Sequence, residues 1–178
     1  MAEIKRAQRI SEVAGVKAAL EQAEAYKQML EREAAAKAEQ EAQHAAEEQA
    51  IGTQIGALVE AAYIVASADG NYTSTESQRL VGRVGALTED KFSDAQLEAM
   101  ANDAAGRVSA EGLQARAQSI ASTLSDPELR RATLLVASAV AWLDGGVGQK
   151  EGLALQALAR AFGFSIDELH KIMSQAHG

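Results

Sequence analysis

The stretch Ala62-Tyr-Ile-Val-Ala-Ser-Ala-Asp69-Gly70 returns 75 residues later as Ala137-Ser-Ala-Val-Ala-Trp-Leu-Asp144-Gly145. The correspondence continues past both glycines, with Glu76 matching Glu151, Leu80 matching Leu155, Val84 matching Ala159 and Leu87 matching Phe162. Each copy reads as an apolar helix ending in Asp-Gly, a five-residue loop to Glu, and a second amphipathic helix. Glycine is the residue that accepts the left-handed backbone at a helix end, and the preceding Asp suits the turn. Neither helix pair buries its apolar face alone. A duplicated pair therefore predicts two pairs packed about a pseudo-two-fold axis.

Outward from the repeat, apolar residues recur at helical spacing. Ile55, Leu58, Val59, Ala62 and Ala66 form a first face; Leu80, Val84 and Leu87 form a second, on a helix entered at Thr73 or Ser74. Leu97, Met100, Ala101, Ala104 and Val108 mark a third, and Leu113, Ile120, Ala121 and Leu124 a fourth. Ser125-Asp-Pro127-Glu128 starts a fifth helix, with a capping residue and then proline in the first turn. Its expected buried face is Ala132, Leu135, Val136, Ala139, Val140 and Leu143. Leu155, Leu158, Ala159 and Phe162 mark a sixth, and the capping box Ser165-Ile-Asp-Glu168 opens a seventh that presents Ile166, Leu169, Ile172 and Met173. Pro127 is the only proline and β-branched residues form no alternating runs, so the fold class is all-α, about seven short helices in a duplicated domain.

Residues 1–50 differ in kind. They are rich in Ala, Glu, Gln, Lys and Arg, with seven basic against ten acidic residues, a net charge of −3. Helix propensity is high throughout, and pairs such as Glu33 with Lys37 support it. Ile4, Ala7, Ile10, Val13 or Ala14, Lys17 and Leu20 trace a partial seam, extended by Tyr26, Met29 and Leu30, after which only alanine remains. A coiled coil needs large residues sustained over several heptads. Two readings stand: a solvated helical arm, or an arm that binds another protein or a second copy. The expected organisation is thus a long N-terminal helix over 1–50 and a helical domain over 51–178.

The whole chain carries −8, which opposes binding to phosphate backbones and excludes non-specific nucleic-acid binding. Without cysteine there is no disulfide, thiolate zinc site or cysteine nucleophile. The longest apolar run, Ala132 to Leu143, falls short of the roughly 20 residues that cross a bilayer. Met1-Ala-Glu-Ile-Lys-Arg lacks a signal peptide's apolar core, so a cytoplasmic address is expected.

Ala66-Ser-Ala68-Asp69-Gly70-Asn-Tyr-Thr-Ser-Thr-Glu76, the second Asp144-Gly145 with Glu151, and Leu158-Ala-Arg-Ala-Phe162-Gly-Phe-Ser165 resemble the tellurite-resistance TerB-like family over about residues 51–176. That family includes the N-terminal region of a membrane-anchored J-domain co-chaperone. The resemblance implies an all-α duplicated domain and a non-enzymatic binding or scaffold module of a bacterial stress-response or defence system. Peripheral association with a membrane complex fits the same implication. It also implies a divalent cation at Asp69, Glu76, Asp144 and Glu151. The second loop departs from the family pattern, since Gly146-Val-Gly148-Gln-Lys150 has no capping Ser or Thr and sets a lysine beside Glu151.

Four carboxylates drawn together would suit a hard cation, Ca²⁺ or Mg²⁺, rather than zinc. An ordinary alternative stands beside this: Gly70 and Gly145 end helices, and Thr73-Ser-Thr-Glu76 is a capping box. Neither loop has the Asp-x-Asp-x-Asp-Gly ladder of an EF-hand. His44, His170 and His177 read as solvated or helix-end histidines, and Tyr63 and Trp142 as core. No serine sits in a Gly-x-Ser-x-Gly elbow, and Gly145-Gly-Val-Gly148 lacks the Lys-Ser or Lys-Thr of a phosphate loop. An enzyme is not expected. The alternative function is a structural coiled-coil or oligomerisation subunit with no ligand site.

Overall fold

The computed structural model describes residues 2–142 and 146–177, with side chains at Val13 and from Gly15 onward. The side chains of Ile4, Ala7, Ile10 and Ala14, the core position Leu143, and the pair Asp144-Gly145 lie outside the described residues. Seven helices follow one another among the described residues: α1 (Ala2–Ala66), α2 (Ser74–Leu87), α3 (Asp94–Glu111), α4 (Leu113–Thr123), α5 (Pro127–Ala141), α6 (Gln149–Phe162) and α7 (Ile166–His177).

The chain divides into two units, residues 1–49 and 50–178. That boundary falls inside α1, because Gln49-Ala-Ile-Gly52 offers neither a proline nor a cap to stop the helix. The change of pattern at Ile51 is a change in what the helix buries, not a break. In the first unit every described side chain is exposed. Lys17–Glu21, Lys27–Glu31, Lys37–Glu41 and His44–Glu48 pair one turn apart at 3.5–3.9 Å. Such solvated pairs contribute only a few tenths of a kcal/mol each.

The second unit contains two apolar clusters. One gathers Ala57, Ala61, Ile64 and Val65 of α1 with Ile120 of α4, Leu134, Ala137 and Ala141 of α5, Leu155, Leu158 and Phe162 of α6, and Leu169 and Ile172 of α7. The other joins Leu58, Val59, Ala62 and Ala66 of α1 to Leu80 and Val84 of α2, Leu97 and Ala101 of α3, and Val136 and Val140 of α5. The final turns of α1 and the whole of α5 thus contribute to both clusters. These are the equivalent helices of the repeat, and α2 and α6 flank them as the equivalent second helices. Each fully buried Leu or Ile adds about 1.5–3 kcal/mol of apolar burial.

Packing on two sides explains why the face expected for α5 is turned. Thr133, Leu134, Ala137 and Ser138 are buried, while Ala132 is exposed and Leu135 and Ala139 are half-buried. Leu87 and Ile166, expected in the core, are exposed because each lies at a helix end beyond the last packed turn. Helix boundaries follow their caps. Thr73, Ser93 and Asp126 cap α2, α3 and α5 with side-chain oxygens. At α7 the Ser165 backbone N–H donates to Glu168 at 2.7 Å, which holds that carboxyl below the usual glutamate range. Arg130 closes the other ends, donating to the carbonyls of Ala121 in the last turn of α4, of Leu124 just after it, and of Phe162 at the end of α6. These carbonyls have no helical partner, and a cation suits the negative end of the helix dipole.

Candidate functional site

The first Asp-Gly turn is built from local bonds. Gly70 has φ of 93°, in the region that favours glycine. Asp69 Oδ1 accepts from the Asn71 backbone N–H at 2.8 Å. Glu76 accepts from the Thr73 N–H, and Thr73 Oγ1 accepts from the Glu76 N–H at 3.3 Å, which completes the capping box of α2. Tyr72 lies edge-on to Tyr63 with ring centroids 4.8 Å apart, and burial pushes the Tyr72 hydroxyl's pKa up.

The start of α6 keeps half of this arrangement. Glu151 accepts from the Gly148 N–H at 2.6 Å, but Gly148 has no side chain to return a bond. Lys150 reaches across instead, donating to the Asp69 carbonyl at 3.1 Å. The structure therefore brings the start of α6 beside the first Asp-Gly turn. It does not bring the described carboxylates into one site: among the described residues no three of His, Asp and Glu gather closely enough to hold a metal ion. Asp144 lies outside the described residues. Of Asp69, Glu76 and Glu151, two carboxylates cap helices, the third closes a turn, and an ammonium occupies the carbonyl of Asp69.

A different charged cluster is buried in the same unit. Glu60, near the end of α1, is 2% exposed, and both of its oxygens accept from arginines. Arg116 of α4 donates through Nε to Oε1 at 2.6 Å and through Nη2 to Oε2 at 3.1 Å. Arg107 of α3 donates through Nε to Oε2 at 2.9 Å. Arg116 also donates through Nη1 to Glu111 at 3.1 Å, and its hydrogen bond to Glu60 raises its pKa further above the ordinary arginine value. A carboxylate removed from water is tolerated only when its lone pairs are filled, and here the fork geometry of arginine fills them. The cluster ties α1, α3 and α4 together.

Beside it lies a cavity of about 230 Å³ lined by Thr53, Gly56, Ala57, Glu60, Arg107, Arg116, Ile120 and Thr123. Sequence periodicity does not reveal this group, because its partners are 47 and 56 residues from Glu60. One signal was present. Glu60 is the only charged residue between Glu48 and Asp69, in a stretch otherwise fit for a core.

The remaining candidates are peripheral. His44 and His170 are exposed, and His177 packs its ring edge-on to Trp142 at 4.3 Å. Trp142 and Tyr63 are half-buried rather than fully in the core, and Trp142 Nε1 donates to the Met173 carbonyl at 3.3 Å. No described helix is long and apolar enough to cross a membrane. Among known proteins, the family model described as tellurite resistance protein TerB matches residues 56–174. No curated protein and no solved structure matches the chain.

Proposed function

We propose that this chain, which belongs to the tellurite-resistance TerB family, is a non-enzymatic binding module whose helical arm engages another protein or a second copy of itself. It would serve a bacterial stress-response or defence system, at a cytoplasmic address. One observation carries this reading. Val13, Val16, Leu20, Tyr26, Met29 and Leu30 are all exposed on a unit that buries none of its described side chains. Leaving six large apolar groups in water forgoes about 1.5–3 kcal/mol for each that a partner could cover. Val13, Val16 and Leu20 are spaced three and four apart, which places them on one side of the helix. A long coiled coil is the weaker alternative, since the seam falls to alanine after Leu30.

Several polar groups of the second unit are committed to structure, which supports a role other than catalysis. Glu60 is saturated by arginines, Glu76, Glu151 and Glu168 cap helices, and Arg130 closes helix ends. Sedimentation velocity on the full chain tests the proposal. Wild type is expected to associate with rising concentration, and the triple variant Val16→Gln, Leu20→Gln, Leu30→Gln to lose that association with an unchanged melting midpoint. A variant that associates as wild type does would remove the arm's apolar seam from the function.

A further inference from the structure

We propose that the cavity beside Glu60 is a binding site for a small inorganic oxyanion, held by the outer edge of the Arg107 guanidinium. The charges that line the cavity do not balance. Two guanidinium groups face one carboxylate, and Glu111, the second acceptor of Arg116, is not part of the lining. The two arginines are used very differently. Arg116 is 13% exposed and donates from Nε, Nη1 and Nη2, so its fork is full. Arg107 is 38% exposed and spends only Nε on Glu60. Its Nη1 and Nη2 have no partner among the described residues. Those nitrogens carry N–H donors in the planar array that matches the oxygens of a tetrahedral or pyramidal anion.

The surroundings suit an inorganic anion better than a bulky ligand. Gly56 presents no side chain to the cavity, and a Cβ built there would meet nothing within 4 Å. The volume of about 230 Å³ admits an anion of four or five atoms. The two arginines offset the charge of Glu60, whose oxygens both accept from them, and leave a residual repulsion of an anion that neutralising Glu60 would remove. The site belongs wholly to the second unit and is independent of the arm.

Titration calorimetry on the full chain tests this, using sulfate, phosphate, tellurite and acetate at constant ionic strength in chloride. Saturable binding of at least one of the three inorganic anions is expected. Arg107→Gln should weaken it about tenfold or more, the loss of one charged hydrogen-bonding group, and should lower the melting midpoint as well, because it takes one donor from buried Glu60; binding is therefore compared well below both midpoints, where each protein is folded. Glu60→Gln should act in the opposite direction. It removes the only carboxylate lining the cavity and should tighten binding several-fold, a sign that general screening does not produce. If that variant does not fold, Glu111→Gln should show the same sign at smaller size by releasing Arg116 Nη1. Absence of saturable binding, indifference to Arg107→Gln, or no gain in either glutamine variant would overturn the site. Preference for acetate over all three inorganic anions would overturn the assignment of the ligand.

Discussion

Glu60 in the first helix pair and Leu135 in the second hold the same position of the repeat. One is a buried carboxylate gripped by two arginines, and the other a half-buried apolar side chain. The two pairs share their frame: an apolar helix contributing to both core clusters, an Asp-Gly dipeptide in the sequence after it, and a Glu that caps the next helix. They differ in what neighbours demand. The first pair packs against α3 and meets Arg107 of α3 and Arg116 of α4 through Glu60, whereas in the second pair α5 packs against α7 and α6 against α4. The repeat shares the residues that make a helix pair fold and differs at a packed position, where the neighbouring helices decide which side chain fits.

The most severe way to break this comparison is to give the first copy the second copy's residue. Glu60→Leu leaves Arg116 largely buried with only Glu111 to answer it, and should cost about 3–5 kcal/mol, the usual penalty for removing one partner of a buried pair. Urea denaturation measures it. A loss below about 1 kcal/mol would mean that water reaches the cluster and that its burial is unimportant.

Much of the frame was legible because it depends on local chemistry. Thr73-Ser-Thr-Glu76, Asp126-Pro127 and Ser165-Ile-Asp-Glu168 announce their helix starts, and the 3.6-residue period announces the buried faces of α2, α3 and α6. Three features were not legible, each for a physical reason. The fusion of the arm with the first domain helix depends on the absence of a stop signal, and such an absence resembles an ordinary junction. The turned face of α5 arises from burial on two sides, which blurs the period on which a face is read. The Glu60 cluster joins residues from three helices, and no local spacing encodes that. The acidic quartet shows the converse, since a repeated motif drew attention to carboxylates whose described roles are caps and turns.

Equivalent core positions sharpen the comparison. Leu80 and Leu155 are both fully buried and occupy matching places on α2 and α6. Leu→Ala at each should cost about 2–5 kcal/mol, with the two values within about 1 kcal/mol of each other if the clusters are equally rigid. A much smaller cost at Leu80 would mark the cluster around α2 and α3 as the softer half, able to collapse around the lost methyl groups.

The caps differ by less. Thr73→Ala removes the hydroxyl that accepts the Glu76 N–H and should cost about 1 kcal/mol. Gly148→Ser, which installs the missing half of the second box, should gain only a few tenths of a kcal/mol. Its φ of −67° accepts a side chain, but a Cβ would come within 3.2 Å of Glu151 Oε2, so that flexible carboxylate must shift. Thermal melts at matched pH resolve both changes. A gain of more than about 1 kcal/mol would show that the half-box, rather than the loop before it, limits the second pair.

The smallest expected effect concerns the cation implied by the resemblance. If Asp69, Glu76 and Glu151 act with Asp144 as one ligand set, Ca²⁺, Mg²⁺ or Mn²⁺ should stabilise the fold. At a hundredfold excess over Kd the gain would be about 2.7 kcal/mol, which moves a melting midpoint by several degrees. The described geometry points the other way. Glu76 and Glu151 each hold a backbone N–H of their own helix start, and the Lys150 ammonium lies against the carbonyl of Asp69. A cation would have to displace that ammonium or share oxygens already engaged. Millimolar cation should therefore leave the midpoint unmoved, and Glu76→Gln, whose amide oxygen still accepts from Thr73, should melt close to wild type with or without it. A rise of several degrees in wild type that Glu76→Gln abolishes would restore the shared site. It would also show that the first Asp-Gly turn and the start of α6 rearrange when the ion enters, with the two helix pairs then alike in function as well as frame.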